Sequence, residues 1–164
     1  MRPARSLLPP LALLVLAFAV VLAACGQDDD PEGARVLWEK INAAPGFQTW
    51  QRAPGFATRK PSFTLHSREV EIFVNDKVSQ TLTTRGDVAV QEWPVGSIIV
   101  KEAFSGDTRK QVAVMEKRAD GWFWAEYFSD DGVAKYSGQP SICTDCHDNR
   151  KNYSDWVYAF ELPR

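Results

Sequence analysis

Histidine and cysteine are both scarce in this chain, whose 164 residues include two histidines and three cysteines. A structural zinc site needs about four such ligands, usually supplied by two C-x-x-C or H-x-x-x-H knuckles. The chain has one knuckle, formed by Cys143 and Cys146. His147 directly follows Cys146, an awkward position from which to share a zinc ion with it. The number and spacing of these ligands therefore disfavour a zinc site.

Long apolar runs are missing beyond the N-terminus. The one long run, residues 7–24, follows Arg2 and Arg5 and closes on small residues directly before Cys25. Positive charge, apolar length and a small-residue exit are typical of a secretory signal peptide. A pair of prolines within the run, and the polar residues that begin at Gly26, argue against a permanent membrane-spanning helix.

The tripeptide before Cys25 resembles the bacterial lipobox, in which the cysteine is lipidated and becomes the new N-terminus. Ordinary cleavage near Ala24 is the alternative, and it would leave Cys25 as a lone thiol, an odd outcome in a secreted protein. We expect residues 1–24 to be a lipoprotein signal peptide, residues 25–34 a short charged tether, and residues 35–164 one domain. This arrangement predicts a lipid-anchored protein of the bacterial cell envelope that faces the periplasm.

A basic excess is absent from the predicted mature chain. Removal of Arg2 and Arg5 leaves 17 basic and 21 acidic side chains, a net charge of −4. Proteins that bind nucleic acid present clustered basic residues to the phosphates. The sequence therefore predicts no nucleic-acid partner, and contact with the membrane through the lipid anchor.

Residues 143–147 read C-T-D-C-H, the C-x-x-C-H pattern on which a c-type haem is covalently mounted. Two cysteines one helical turn apart can bond to one edge of the porphyrin, and His147 can supply the proximal iron ligand. A thiol–disulfide exchange site is the alternative, but it favours a C-x-x-C that opens the helix of a βαβ unit, and none precedes this motif. With Cys25 lipidated, Cys143 and Cys146 account for the remaining thiols. The sequence therefore predicts one covalent haem c.

Five runs of alternating or β-branched apolar residues are bounded by turn residues. The runs are residues 69–75, 97–104, 111–115, 122–128 and 155–162. They predict a mainly β fold (α+β) with a single antiparallel sheet of about five strands. Helix is expected at Arg35–Asn42, where Leu37, Trp38 and Ile41 form an apolar stripe, and in the short segment that carries the cysteines.

Four segments together resemble the cytochrome P460 family. They are E-I-F-V-N (71–75), W-P-V-G-S-I-I-V-K-E (93–102), W-F-W-A-E-Y-F (122–128), and C-T-D-C-H followed by D-W-V-Y (155–158). They occur in the family's order. The resemblance implies a β-sheet monohaem cytochrome, often a homodimer, with a five-coordinate iron. Founding members of the family oxidise hydroxylamine, and their relatives of the β-sheet cytochrome c-prime group bind nitric oxide.

The resemblance also implies a catalytic role for Lys101. In the catalytic members, the lysine of a V-K-E segment forms an extra covalent bond to the porphyrin edge, which distorts the macrocycle and so changes iron reactivity. Alternation puts Lys101 on the same face as Ile99 and Ala103, but does not tell which face carries the haem. A solvated strand lysine paired with Glu102 is the alternative.

The catalytic members place a carboxylate above the iron, where it takes protons from hydroxylamine. Strand-by-strand matching puts Ala113 at that position, with Glu116 three residues further on. The same matching expects an arginine at the position that Val70 occupies, and Arg68 lies close to it in sequence. Two interpretations stay open: the match slips by a few residues, or the proton-accepting group is absent.

Two functions follow from the resemblance. An open iron site predicts an enzyme that oxidises a small ligand, hydroxylamine or nitric oxide, and passes the electrons to a partner cytochrome. The alternative is a non-catalytic haem protein that carries electrons or binds nitric oxide. His66 and Met115 are candidates for a sixth iron ligand, although a local hydrogen bond for His66 and a core position for Met115 are the simpler expectations.

Overall fold

The structure is a computed structural model, and it describes residues 29–86 and 89–159. The predicted signal peptide, the lipidation site Cys25 and residues 25–28 of the predicted tether lie outside the described residues. Within the described ranges, no helix has the length and apolar character needed to cross a membrane.

Seven strands form one antiparallel sheet in the part of the chain that the structure describes. The strands are β1 (Gln51–Arg52), β2 (Lys60–Thr64), β3 (Ser67–Val74), β4 (Ile98–Ser105), β5 (Thr108–Arg118), β6 (Gly121–Tyr127) and β7 (Ala134–Gly138). Their order is β1-β3-β4-β5-β6-β7, and β2 pairs with β3 on the same edge as β1. The predicted mainly β fold with a single antiparallel sheet is therefore confirmed, with seven strands instead of about five.

Four α-helices lie before, within and after the run of strands in the described residues. They are α1 (Pro31–Asn42), α2 (Asp76–Arg85), α3 (Ser141–His147) and α4 (Lys151–Ser154). The N–H of Gly33 donates to the side chain of Asp30 at 2.8 Å, which caps α1, and Pro31 suits the first helical position. Helix α1 therefore takes in residues 31–34, which the sequence pattern assigns to the tether.

Alternation along the central strands divides the apolar residues between two cores. On one face, α1 buries Ala34, Leu37 and Ile41 against the strands, at about 1.5–3 kcal/mol for each large side chain. We call this the helix-side core; its strand residues include Phe73, Val100, Val112, Val114 and Tyr127. The opposite face carries the motif-side core, whose members include Val70, Ile72, Ile99, Trp122 and Trp124. Cys143 packs against the motif-side core, so α3 and α1 lie on opposite faces of the sheet.

The predicted strand at residues 155–162 is wrong for its described part. Asp155 and Trp156 have φ angles of 47° and 71°, in the left-handed region that a strand excludes. The carboxylate of Asp155 accepts a hydrogen bond from the Nζ of Lys117 at 2.8 Å and another from the backbone N–H of Trp93 at 2.9 Å. These distant partners hold the chain in a turn. Residues 160–162 lie outside the described residues.

Helix α2 is absent from the sequence prediction. Asn75 caps it by accepting from the N–H of Val78 at 3.2 Å, and the same side-chain oxygen accepts from the N–H of Ile98 at the start of β4. The helix contains Thr81, Thr83 and Thr84, whose hydroxyls donate to backbone carbonyls four residues earlier. Threonine is a weak helix former, so composition gives little sign of this helix.

Candidate functional site

A cavity of about 480 Å³ opens on the motif-side face of the sheet. Its walls come from β4, β5, β6, β7 and α3, together with residues 64–66, 128 and 157–159. The lining is largely apolar and includes Ile99, Met115, Trp124, Ile142 and Val157. The volume lies within the range of about 300–1,000 Å³ that is typical of small-molecule and cofactor sites.

Helix α3 brings Cys143, Cys146 and His147 to the wall of this cavity. Residues three and four apart lie on one face of a helix, which explains why the two thiols and the imidazole share one wall. Cys143 is half-buried, whereas Cys146 is exposed. The site is therefore internal on one side and open to the surface on the other.

The imidazole of His147 has one nitrogen occupied and the other free for a ligand. Its Nδ1 donates to the backbone carbonyl of Trp156 at 2.6 Å, an arrangement that metal-binding histidines commonly use to fix the tautomer. Burial lowers the pKa of His147 to about 4, against the raising effect of the Trp156 carbonyl, and Lys101 and His66 lower the pKa further. The ring is therefore neutral at pH 7, with its Nε2 lone pair available.

Aromatic rings support this imidazole from two directions. The ring of Trp124 lies 6.3 Å from it at 64°, and the ring of Tyr158 lies 5.2 Å from it at 88°. Both are edge-to-face contacts. The hydroxyl of Tyr158 also donates to the carbonyl of Cys146 at 2.9 Å, so the segment after α4 is bound directly to the cysteine helix.

Lys101 projects from β4 into the same cavity, on the face that it shares with Ile99 and Ala103. The cavity therefore lies on the face of β4 that carries Lys101, which alternation alone does not tell. Burial lowers the pKa of Lys101 to about 8, opposed by smaller raising effects from the neighbouring Cys146 and Glu126. The lysine is therefore not a solvated surface residue, and a fraction of its amine is unprotonated near neutral pH. An unprotonated amine is a nucleophile.

Glu126 is the cavity residue that the sequence reasoning misses. Ala113 pairs with Lys101 on one side and with Glu126 on the other, so the three form one row across β4, β5 and β6. The Nε2 of Gln111 donates to Glu126 at 2.7 Å, and the Nδ1 of His66 lies 3.4 Å from the same oxygen. A carboxylate therefore lies beside Ala113, on the neighbouring strand β6.

Glu116 and Arg68, the sequence neighbours singled out for proton handling, do not line the cavity. Glu116 is buried next to the helix-side core, where it accepts from Lys40 at 2.6 Å and from Arg118 at 2.9 Å. Burial raises the pKa of Glu116, but these two cations outweigh it and lower the pKa below its usual value. Val70, which matches the expected arginine, is a member of the motif-side core.

The two candidates for a sixth iron ligand, His66 and Met115, both line the cavity. Met115 also packs against the motif-side core, and His66 contacts Gln111 and Glu126. Met115 therefore occupies the expected core position, whereas the ring of His66 has its partners on β5 and β6 instead of nearby in sequence; both side chains also face the cavity.

The donor set suits a haem better than a thiol–disulfide exchange site. Reactive exchange cysteines have lowered pKa values, whereas burial raises the pKa of Cys143 to about 12, with further raising effects from Glu126 and Cys146. Two thiols and a neutral imidazole on the wall of a largely apolar cavity fit a porphyrin attached through its edge. The indole Nε1 of Trp124, which is buried without a protein hydrogen-bond partner, leaves a donor for a polar group of such a cofactor.

Comparisons with known proteins agree with this arrangement at the level of the family. A comparison with curated proteins and a comparison with solved structures each return no match. The family model of cytochrome P460 matches residues 44–159, which include β1 to β7 and the C-x-x-C-H motif. The chain therefore belongs to the cytochrome P460 family, and membership of this family implies a haem cofactor.

Proposed function

We propose that the chain is a lipid-anchored, periplasm-facing monohaem c-type cytochrome that oxidises hydroxylamine or nitric oxide at an open iron site. One observation carries this proposal. Cys143, Cys146 and His147 share a single cavity with an amine, Lys101, and a carboxylate, Glu126. The anchoring and the placement in the envelope rest on the pattern around Cys25, which lies outside the described residues.

In this proposal Cys143 and Cys146 form the two thioether bonds, and the free Nε2 of His147 binds the iron. The neutral imidazole supports this role, because a protonated ring has no lone pair to give to a metal. The bound haem supplies the exchange of electrons with the substrate. Cys143, Cys146 and His147 would hold this group at the wall of the cavity.

Glu126 is the proposed proton acceptor. Oxidation of hydroxylamine releases protons together with electrons, so a basic group within the cavity would speed the reaction. The carboxylate is oriented by its 2.7 Å hydrogen bond from Gln111, and His66 lies beside it at the cavity wall. This constellation favours the enzyme over a simple gas binder.

Lys101 is proposed to bond to the porphyrin edge, as the family resemblance implies. Its position in the cavity and its lowered pKa of about 8 both favour reaction of the amine. Formation of a carbon–nitrogen bond at a ring carbon removes two hydrogens, so the reaction needs an oxidant such as a peroxide.

Electrons are proposed to pass to a partner cytochrome through the part of the site that lies near the surface. Cys146 is exposed, and the neighbouring Ile142 is 48% exposed, so the haem edge that these residues hold is accessible from outside. A carrier without catalysis is the second candidate, and it is favoured by the presence of both His66 and Met115 in the cavity wall. Either side chain would close the open iron position.

The experiment compares the wild-type protein with Cys143→Ser/Cys146→Ser, both produced in cells that attach c-type haem. We expect the wild-type mass to rise by one haem, and the double variant to remain unmodified. The reduced protein is then mixed with carbon monoxide and nitric oxide, and the oxidised protein is mixed with hydroxylamine and an electron acceptor. Spectral change with the gases and turnover of hydroxylamine support the enzyme; no change with any of them supports the closed carrier. An unmodified wild-type chain refutes the proposal.

A further inference from the structure

We propose that Asp155 and Lys117 form a positioning pair that sets the strength of the hydrogen bond between Trp156 and His147, and through it the properties of the iron. The inference rests on the proposed role of His147 as the iron ligand. It adds two residues: Lys117 on a sheet strand, outside the four segments that carry the family resemblance, and Asp155, the first residue of the D-W-V-Y segment, to which the sequence assigns no role.

The carboxylate of Asp155 is held by three donated hydrogen bonds. The Nζ of Lys117 lies 3.0 Å from one oxygen and 2.8 Å from the other, and the backbone N–H of Trp93 donates at 2.9 Å. The side chains of Asp155 and Lys117 are 10% and 13% exposed. Charge-assisted hydrogen bonds in a buried place are stronger and better fixed than those at a surface.

The strand that carries Lys117 is itself fixed at this point. The backbone N–H of Lys117 donates to the carbonyl of Ser97 at 2.9 Å, and its carbonyl accepts from the N–H of Gly96 at 2.7 Å. The indole Nε1 of Trp93 also donates to the carbonyl of Ser154 at 3.2 Å. The C-terminal segment is therefore fastened at Ser154 and Asp155, by Trp93 in the loop before β4 and by Lys117 on β5.

The backbone that this pair fastens is in an unfavourable conformation. Asp155 and Trp156 are successive non-glycine residues with φ angles of 47° and 71°. Such residues cost free energy and persist where the surroundings over-determine them, commonly at functional sites. This turn points the carbonyl of Trp156 toward His147. The carbonyl accepts a hydrogen bond from the Nδ1 of His147 at 2.6 Å.

That short hydrogen bond is a means of controlling the iron ligand. A stronger acceptor at Nδ1 makes the imidazole more basic, and hydrogen bonding of this kind tunes the metal site. A more basic ligand stabilises the oxidised iron and lowers the midpoint potential. Loss of the Asp155–Lys117 pair should release the Trp156 carbonyl, weaken its hydrogen bond with His147 and raise the midpoint potential.

Removal of each charge in turn distinguishes a positioning role from a through-space electrostatic effect on the midpoint potential. Asp155→Asn removes a negative charge and Lys117→Met removes a positive one, so a purely electrostatic effect shifts the potential in opposite directions. A positioning pair shifts it in the same direction in both variants, because either change releases the carbonyl. Lys117→Met/Asp155→Asn leaves the net charge unaltered and avoids an unpaired buried charge, and Lys117→Arg retains the ion pair.

The measurements are the midpoint potential and the resonance Raman frequency of the iron–imidazole stretch in the ferrous haem-loaded protein. We expect both single variants and the double variant to raise the potential and lower the frequency, and Lys117→Arg to restore both toward wild type. Glu116→Gln is the control, because it removes the carboxylate of a comparable ion pair on the other face of the same strand and should move neither quantity.

Opposite shifts in the two single variants, or no shift in the double variant, overturn the inference. If a single variant fails to fold, the potentials and frequencies of the double variant and of Lys117→Arg test the inference. A wild-type protein without an iron–imidazole band refutes the proposed role of His147 instead, so the two failures are distinguishable.

Discussion

Lys101 and Glu126 lie in one row of the sheet, with Ala113 between them. The small methyl group of Ala113 leaves the space between the amine and the carboxylate open to the cavity. Glu126 opposes the desolvation that lowers the pKa of Lys101, so the carboxylate affects the charge state of the amine. A substitution at either position should therefore be interpreted together with the other.

Glu126→Gln should lower the rate of hydroxylamine oxidation by about 10²–10⁴-fold, the usual contribution of a general base. The amide keeps the size of the side chain but cannot take a proton, so haem content and nitric oxide affinity should remain as in wild type. Single-turnover rates and gas titrations measure the two effects separately. Glu102→Gln is a matched control, since Glu102 accepts from Arg109 at 2.8 Å on the other face of β4. Equal losses in the two variants would show that Glu126 has no special role.

Lys101→Met should abolish the additional bond to the porphyrin. We expect wild-type protein to show a strongly red-shifted ferrous Soret band that survives denaturation, and the variant to show a conventional c-type spectrum. Lys110→Met is the control, because Lys110 is exposed on the neighbouring strand β5. A conventional spectrum in wild type would rule out the bond.

The lowered pKa of Lys101 also predicts a pH dependence of stability in the haem-free chain. The amine has a pKa of about 8 in the folded protein and an ordinary pKa of 10.5 when exposed in the unfolded chain, so between these values the unfolded chain binds the additional proton. Stability is therefore reduced by the buried charge below pH 8 and rises as the pH increases from about 8 to 10.5.

Urea unfolding at pH 7, 8, 9 and 10 measures this effect, with circular dichroism to show that the haem-free chain is folded. The free energy of unfolding of Lys101→Met should exceed that of wild type at pH 7, and the difference should shrink as the pH rises. A difference that stays constant over this range would mean that Lys101 has an ordinary pKa in the folded protein.

The sequence predicts most of this sheet because β3 to β6 carry strong apolar patterns. It predicts the haem motif because the spacing of C-x-x-C-H is set by covalent chemistry. It could not choose the face of Lys101, because alternation tells which residues share a face but not what covers that face. The polar edge strands β2 and β7 leave no apolar pattern to detect.

Glu126 and Asp155 show why the remaining parts of the site are hidden from the sequence. Strand β6 is buried on both faces, so Glu126 stands in a run of aromatic residues without a polar partner nearby in sequence. Its partners Gln111 and His66 are supplied by other elements. Residues 155–158 have strand-like composition, but a salt bridge to Lys117, 38 residues away in sequence, imposes a turn. Tertiary contacts decide both cases.

Tyr127→Phe should lower the stability of the protein without altering its haem site. The hydroxyl of Tyr127 donates to the carbonyl of Ala34 at 2.7 Å and so binds α1 to the helix-side core. Burial raises the pKa of Tyr127 well above its usual value, so the hydroxyl remains a donor at every pH used for unfolding. Loss of this hydrogen bond should cost about 1 kcal/mol of unfolding free energy.

The spectrum and the midpoint potential should stay unchanged in Tyr127→Phe, because the cavity lies on the opposite face of the sheet. Tyr153→Phe is the control, since Tyr153 is 63% exposed and should affect neither quantity. Chemical denaturation of the haem-loaded proteins, followed by far-ultraviolet circular dichroism, measures the loss. A shift of the potential in Tyr127→Phe would mean that the two cores are coupled through the sheet, contrary to the division of residues between its faces.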